Sequence, residues 1–532
     1  MYKLMTGVAI RPHARTRFPV KGRPLTQTAT ASAGLTPLEW ARTLPELDDL
    51  QVGALRRMFN LAALLPDDWS GMQGPTTMQE DFGGLRFQLA YMSYALALTH
   101  VHRLPAAPGF FKKPFEQLIE KMLSPDVWAY WHYVSTGNGP INQGQGELPA
   151  EWNPVGKDNI MYSAYIQSMA LLYHYLFRDD RYAREGALTF AVQAMFWGAG
   201  NLRFPYDERS LTEHLYWGMV ERGFLGIACE PNCVFQICNQ PAIIGFRLYD
   251  LVYGTSRADE VMQGYERAWE DFGIVNEDGH FSMMVMEQER VVVPSPDAPW
   301  VDFWLGALMH AWKPQLVEEL FPKHIARWGV DAPEETLWIR PAIQHKVDMS
   351  PVISARDFGW AAVTAAEVGD EETLRRLLGY ADHYMRPVRE RGAYYYPRYD
   401  EPFDADGRLS VMDPHTGNVL LGYARLNVKD GLRKLFEEPL SDAHFAAPAL
   451  VALSDGLNVL RAFYDQDRRM LALTLEPVAA AVEAVLVIDN PVGTTMPQLS
   501  DDGADAHLSR ADDGRLEIRA RITDRRSFVL SW

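Results

Sequence analysis

NIMYSAYIQSMALLYHYLF, residues 159–177, carries apolar side chains at the three- and four-residue intervals of an α-helix, with no glycine or proline to interrupt it. It predicts a helix. The same spacing recurs on both sides, in LRFQLAYMSYALALTHVHRL, CVFQICNQPAIIGFRLYDLVYG, WVDFWLGALMHAWKP and EETLRRLLGYADHYMR among others, separated by short Gly, Pro and Asp punctuation. From about residue 38 to about 437 runs of β-branched residues at period two are scarce, so the segment reads as all-α. About a dozen paired helices at irregular spacing, joined by loops of varying length, suit a toroid of helical hairpins, an (α/α)6 barrel, better than a four-helix bundle or a regular solenoid. Loops at one end of such a toroid wall a central pocket.

Beyond residue 439 the pattern changes to alternation at period two broken by Asp/Gly turns, as in GRLEIRARITDRRSFVLSW. The expected organisation is therefore an N-terminal arm (1–37), a helical barrel (38–438) and a small C-terminal β domain (439–532), the last with no catalytic constellation. The overall class is mainly α.

The chain has 532 residues, 47% hydrophobic and 23% charged, which places it among ordinary globular proteins. Its net charge of −18 argues against a nucleic-acid or anionic-membrane surface, either of which needs a clustered excess of Lys and Arg. The substrate is expected to be neutral or small. The basic arm has no apolar run long enough for a signal peptide, and no window reaches a membrane span. An odd number of cysteines gives no disulfide framework, so a cytoplasmic protein with free thiols is expected.

All three cysteines, Cys229, Cys233 and Cys238, lie within ten residues in GIACEPNCVFQICNQP. Pro231 suits a first helical turn, and Glu230 and Asn232 suit the positive end of a helix dipole, so the helix is expected to begin near Pro231. At about 100° per residue Cys238 shares a face with Phe235, Ala242 and Gly245, and Cys233 points away. Cys229 joins Cys238 in one cavity only if it sits on the loop entering the helix. Cys233 is then a packed apolar residue. The spacing C-x3-C-x4-C matches no common zinc site and lacks the C-x-x-C of a redox pair, so no metal is expected; that all three thiols merely pack remains open.

Taken together, NIMYSAYIQSMALLYHYLFRDDRY, GIACEPNCVFQICNQPAIIGFRLYDLVYGT and APWVDFWLGALMHAW resemble the linalool dehydratase/isomerase family over roughly residues 50–330. That resemblance implies an α/α toroid, no cofactor, a hydrophobic, terpenoid substrate, and a homo-oligomer. It also implies pocket roles for the two cysteines of its C-E-P…C-N motif, here Cys229 and Cys238, with Glu230 and Asn239 matching as well. The chain departs from the family at Tyr165, where linalool-dehydrating members carry histidine, and at Trp304, where they carry tyrosine. Ala63 and Trp69 stand where an aspartate and a tyrosine are expected. The pocket is thereby more aromatic and less basic.

Aromatic walls stabilise developing carbocations, which suits dehydration, allylic isomerisation or cyclisation of an isoprenoid if an acid is near. Asp67, Asp68, Asp81, Glu230 and Asp302 are the candidates. Asp302 stands out because apolar and aromatic residues surround it, although a carboxylate in a first helical turn also stabilises the helix start. Trp69, Tyr165, Phe235, Asn239 and Trp304 are candidate substrate contacts. A thiol could also act as a nucleophile, aided by a helix N-terminus beside Cys229 and opposed by Glu230. Two further classes stay open: a carbohydrate-active α/α-barrel enzyme, favoured by the loops YWHYVSTGNGP and AYYYPRYDEPFDADG, and a non-catalytic binder of an apolar ligand.

Overall fold

A computed structural model describes residues 34–74, 84–139, 142, 146–193, 196, 198, 200–293, 297–345, 351–490, 495–503 and 505–532. Most of the expected arm, residues 1–33, lies outside the described residues, as does Asp81.

The principal helices, shorter pieces aside, are α1 (Asp49–Ala62), α2 (Leu85–His102), α3 (Pro108–Met122), α4 (Ile160–Phe177), α5 (Glu208–Glu221), α6 (Gln236–Tyr253), α7 (Arg257–Glu270), α8 (Pro299–Met309), α9 (Pro314–Trp328), α10 (Arg356–Val368), α11 (Glu371–Tyr384) and α12 (Leu421–Leu426), the last entered through a π-helical turn, Thr416–Leu420. The even-numbered helices pack successively on one another, α2 on α4, α6, α8, α10, α12 and back to α2, which closes a ring. The odd-numbered helices lie outside it. Burial explains the division: every residue of α4 except His174 and Phe177 is buried, as an inner helix apolar on all sides requires. By contrast α7 and α11 bury one stripe and turn Glu, Asp and Arg side chains outward.

Because an outer helix runs back between each pair of inner ones, the inner helices all point the same way. Their N-terminal ends therefore gather at one end of the ring, and the candidate site lies there.

The C-terminal strands are β4 (Ala449–Leu453), β5 (Leu457–Asp465), β6 (Met470–Pro477), β7 (Val482–Asp489), β8 (Gln498–Asp501), β9 (His507–Arg510), β10 (Leu516–Ile522) and β11 (Arg526–Ser531). They form two four-stranded antiparallel sheets, ordered β4-β7-β10-β9 and β5-β6-β11-β8. Three short strands in the helical region are β1 (Cys233–Phe235), β2 (Met284–Met286) and β3 (Val291–Val293), an antiparallel sheet beside the site. The chain is thus mainly α with small sheets, as expected.

The C-terminal sheets dock where α2 ends and α3 begins. Leu450 N–H donates to the Ala106 carbonyl (2.8 Å) and Ala106 N–H to the Ala462 carbonyl (3.1 Å). At Gly109 an added Cβ would lie 2.1 Å from the Val451 carbonyl group, so the two backbones touch only because the residue is glycine. Gly109→Ala is expected to lose about 1–3 kcal/mol from overpacking at a backbone contact, read as a lower melting temperature.

Candidate active site

Cys229 lies on the extended segment that precedes α6, not on the helix. Its carbonyl accepts from Asn159 N–H (3.1 Å) at the start of α4, and its own N–H donates to the Cys233 carbonyl (2.9 Å). Between them the chain turns through Glu230, Pro231, Asn232 and Cys233, closed by Cys233 N–H donating to the Glu230 carbonyl (2.9 Å). The expected helix start near Pro231 is corrected here: α6 starts at Gln236. Pro231 instead presets a tight turn whose next residue, Asn232, has φ +72°, a pairing suited to proline followed by a residue that tolerates the left-handed region.

That turn brings Cys229 back to the face of α6 that carries Cys238, near enough for each thiol to shift the other's titration. Cys238 Sγ also lies 3.8 Å from Met161 Sδ on α4. Cys233 stands apart, buried against Asn142 (Nδ2–Sγ 3.5 Å), and burial pushes its thiol up to about 12. The Cys229 thiol is pushed well up, chiefly by Cys238, then by burial and by the charge of Glu230. Burial raises the Cys238 thiol too, but Cys229 and the Arg86 guanidinium partly offset it. Of the pair, Cys238 is therefore the first to release a proton. The helix N-terminus beside Cys229 is that of α4, whose first N–H groups meet the Cys229 and Ala228 carbonyls, whereas the intervening turn and β1 separate Cys229 from the start of α6. Both groups are neutral thiols near neutral pH.

Arg86 and Tyr130 close one side of this pair. The Arg86 guanidinium carbon sits 4.2 Å from the centre of the Tyr130 ring, and Tyr130 O–H donates to Asn159 Oδ1 (2.6 Å). Burial raises the Tyr130 hydroxyl, and Cys229, Glu230 and Cys238 add to the rise, which puts all four in one electrostatic neighbourhood.

On the other side lies an aromatic wall. Trp304 Nε1–H donates to the Tyr91 hydroxyl (2.6 Å), which is 3.0 Å from the Tyr165 hydroxyl. Cys238 is close enough to raise both phenols, after the larger effect of burial. Trp304 stacks on Trp360 (centroids 4.9 Å, 9° between planes), and Phe87 meets Tyr165 and Trp304 edge-on. His415 stacks against Phe87 and Tyr91 from the residue just before the π-helical turn. Since an indole nitrogen only donates, Tyr91 oxygen accepts from Trp304, while in the bond between Tyr91 and Tyr165 either hydroxyl can be the donor. The chain Trp304–Tyr91–Tyr165 then ends in the Tyr165 hydroxyl beside Cys238.

The other expected site residues fall elsewhere. Asp302, expected as an acid in this pocket, occupies a separate buried cluster with His280 and Trp328, because two residues along α8 turn it about 200° away from Trp304. Trp69 donates its indole N–H to Asp126 (2.9 Å) under the Lys121 ammonium, so its partners are at the end of α3, not the thiols. Asn239 is expected to touch substrate, yet its amide is fully engaged with backbone: Oδ1 accepts from Ile227 N–H (2.8 Å), and Nδ2 donates to the Ile227 (3.0 Å) and Phe235 (2.8 Å) carbonyls. It clamps the Cys229 segment onto α6. Phe235, half-buried, pairs with Met284 in the β1–β2 ladder just before α6. Asp68 closes a loop turn onto Ser70 N–H (2.9 Å), and Asp67 is exposed. Arg86, Tyr91, Tyr130, Met161, Trp360 and His415 were not anticipated. Arg86, Tyr91, Met161 and Trp360 lie on stretches that read as helices, as does Phe87, but nothing in the spacing marked them as facing the thiols.

The sequence model of the family described as linalool dehydratase/isomerase matches residues 86–402. Among solved structures, a Listeria innocua protein is similar at 8% identity, covering 73% of this chain and 97% of its own, with a TM-score of 0.40. An unsaturated glucuronyl hydrolase from a Bacillus species is similar at 10% identity, over 73% of this chain and 95% of its own, with a TM-score of 0.39. Neither likeness bears on what this chain does. Among the described residues no helix is long and apolar enough to cross a membrane.

Proposed function

Because the chain belongs to the linalool dehydratase/isomerase family, we propose that it is a lyase/isomerase working by acid/base chemistry on a hydrophobic, terpenoid alcohol or alkene. The helical ring is read as an (α/α)6 barrel spanning 38–438, with 439–532 as its appended β domain. The observation that carries the function is the nearness of two neutral thiols, Cys229 and Cys238, against the wall formed by Phe87, Tyr91, Tyr165, Trp304 and Trp360.

In this reading Tyr91 donates to Tyr165, and the substrate hydroxyl takes the hydrogen bond that the Tyr165 O–H then offers. Cys238 delivers its proton to that oxygen; the C–O bond breaks with both electrons leaving in water, and an allylic cation remains against the ring faces. The thiolate, steadied by Cys229 S–H and by Arg86, then removes a proton from the neighbouring carbon to give the diene and restore the thiol. Hydration runs the same steps backwards. Isomerisation returns water at the other allylic carbon. Apolar packing excludes bulk water, which otherwise traps the cation.

A panel of isoprenoid alcohols and alkenes, with sugars as controls, tests the reading: turnover of an isoprenoid supports it, and turnover restricted to sugars overturns it. Two further outcomes are expected. Tyr165→Phe should raise KM and lower kcat/KM about tenfold, roughly the 1–1.5 kcal/mol of one hydrogen bond, measured with the best alcohol of the panel. The rate should stay level through neutral pH and fall only in alkali, above the ordinary thiol range near about 8.5, because burial keeps Cys238 protonated. A pH–rate profile that rises through neutrality would show that a standing thiolate does the work.

A further inference from the structure

A second cluster of chemically active side chains lies in the layer between α8, α9 and residues 271–293, which follow α7. Asp302 on α8 is 2% exposed, and its Oδ2 accepts from His280 Nδ1 (2.7 Å) and from Trp328 Nε1–H (3.0 Å). Its Oδ1 accepts from Phe281 N–H (3.0 Å) and lies 3.6 Å from His324 Nε2. His324 Nε2 is also 2.9 Å from the Gly279 carbonyl oxygen. Donor atoms from His280, Asp302 and His324 all fall within 4.8 Å of one another.

We propose that His280, Asp302 and His324 bind one divalent transition-metal cation, zinc in the first instance, as a structural brace. Two imidazoles and a carboxylate are a donor set that suits zinc or another first-row cation; ligands about 2.1 Å from one ion are roughly 3–3.5 Å apart, and the Asp302 oxygens lie 2.7 and 3.6 Å from the two imidazole nitrogens. Charge points the same way. Among the described residues no lysine or arginine pairs with Asp302; its charge-bearing neighbours are the two imidazoles. A buried carboxylate without a full countercharge is costly, and a cation supplies one. His280 Nε2 is buried without a hydrogen-bond partner among the described residues, so its ring is not fixed in one tautomer by two partners. Binding moves the hydrogen on each imidazole to its other nitrogen, with no net loss of protons. Trp328 Nε1–H and Phe281 N–H then hold the carboxylate, and the Gly279 carbonyl offers a further oxygen.

The expectation of a metal-free chain rested on cysteine spacing, which says nothing of histidines 44 positions apart that only folding joins. What the ion braces is the segment beneath α6. Gln236, the first residue of that helix, donates through Nε2 to the Ile274 (3.0 Å) and Ser282 (2.7 Å) carbonyls on either side of His280. The ion therefore supports the base of the helix that carries Cys238 without touching the thiols.

The test uses the full chain, purified without chelator and without a histidine tag. Metal analysis is expected to find one equivalent of zinc per chain. After chelation, adding zinc should raise the melting temperature by several degrees, and adding cobalt(II) should give visible ligand-field bands. Asp302→Asn and His324→Gln are expected to abolish both, whereas the Cys229→Ala/Cys238→Ala double variant keeps them. Substoichiometric metal in the parent with no melting shift on zinc addition overturns the proposal and leaves a hydrogen-bonded network only. Retention of the ion by both ligand variants, or its loss with the cysteines, overturns it equally. None of these readings depends on turnover, so they stand apart from the proposed reaction.

Discussion

Cys238→Ala and Cys229→Ala are each expected to lower kcat/KM by about a hundred- to ten-thousand-fold, the range for losing a positioned acid/base group. The double variant should be little worse than either single one. Cys238 moves the proton, but Cys229 steadies the thiolate that results, so removing either disables one unit, and losses within a unit do not add. Cys233→Ala provides the control: its thiol faces Asn142, outside the pair, and turnover should persist. Cys238→Ser is the sharper variant. It keeps the shape but holds its proton far more tightly than a thiol, so its rate should sit near that of the alanine variant. A serine variant as active as the parent would mean that the side chain at 238 only fills space.

The sequence made the frame legible and hid the site's polar half, for a physical reason. Inner helices such as α4 have to be apolar on every side, and that composition is visible in the residues themselves. The link between Cys229 and Cys238 was likewise readable as a condition, since a helix alone puts them on opposite sides and only an intervening loop reunites them. The local form of that loop was misread. Pro231 opens a helix and presets a turn equally well, and Asn232 at φ +72° decides between the two only once the backbone is known. Asp302 sits in an apolar run, but its partners His280, His324 and Trp328 come from two other elements, so nothing local told a pocket acid from an outer-layer ligand. Arg86, Tyr130 and His415 are in the same position: each matters through residues far away in the chain.

Asn239→Ala is expected to be the most destabilising change in the region, by about 3 kcal/mol or more, because it leaves Ile227 N–H and the Ile227 and Phe235 carbonyls short of a buried partner at about 1–3 kcal/mol each. Gly226→Ala attacks the same clamp from the other side. Its φ of +124° suits only glycine, and an added Cβ would come within 2.7 Å of the Asn239 amide. Asn239→Asp separates the clamp from simple packing. The carboxylate still accepts from Ile227 N–H but faces two carbonyl oxygens in place of donating to them, so folding raises its pKa above the unfolded value of about 4. A carboxyl raised in the folded state favours folding at low pH, and that advantage is lost as pH rises from the unfolded value through the folded one. The aspartate variant should therefore melt near the parent temperature in acid and increasingly below it towards neutrality, while Asn239→Ala stays low throughout. Parallel profiles for the two variants would mean that the amide donates nothing of consequence. In that case the approach of Cys229 to Cys238 has to be set by the Asn159 and Cys233 backbone bonds alone.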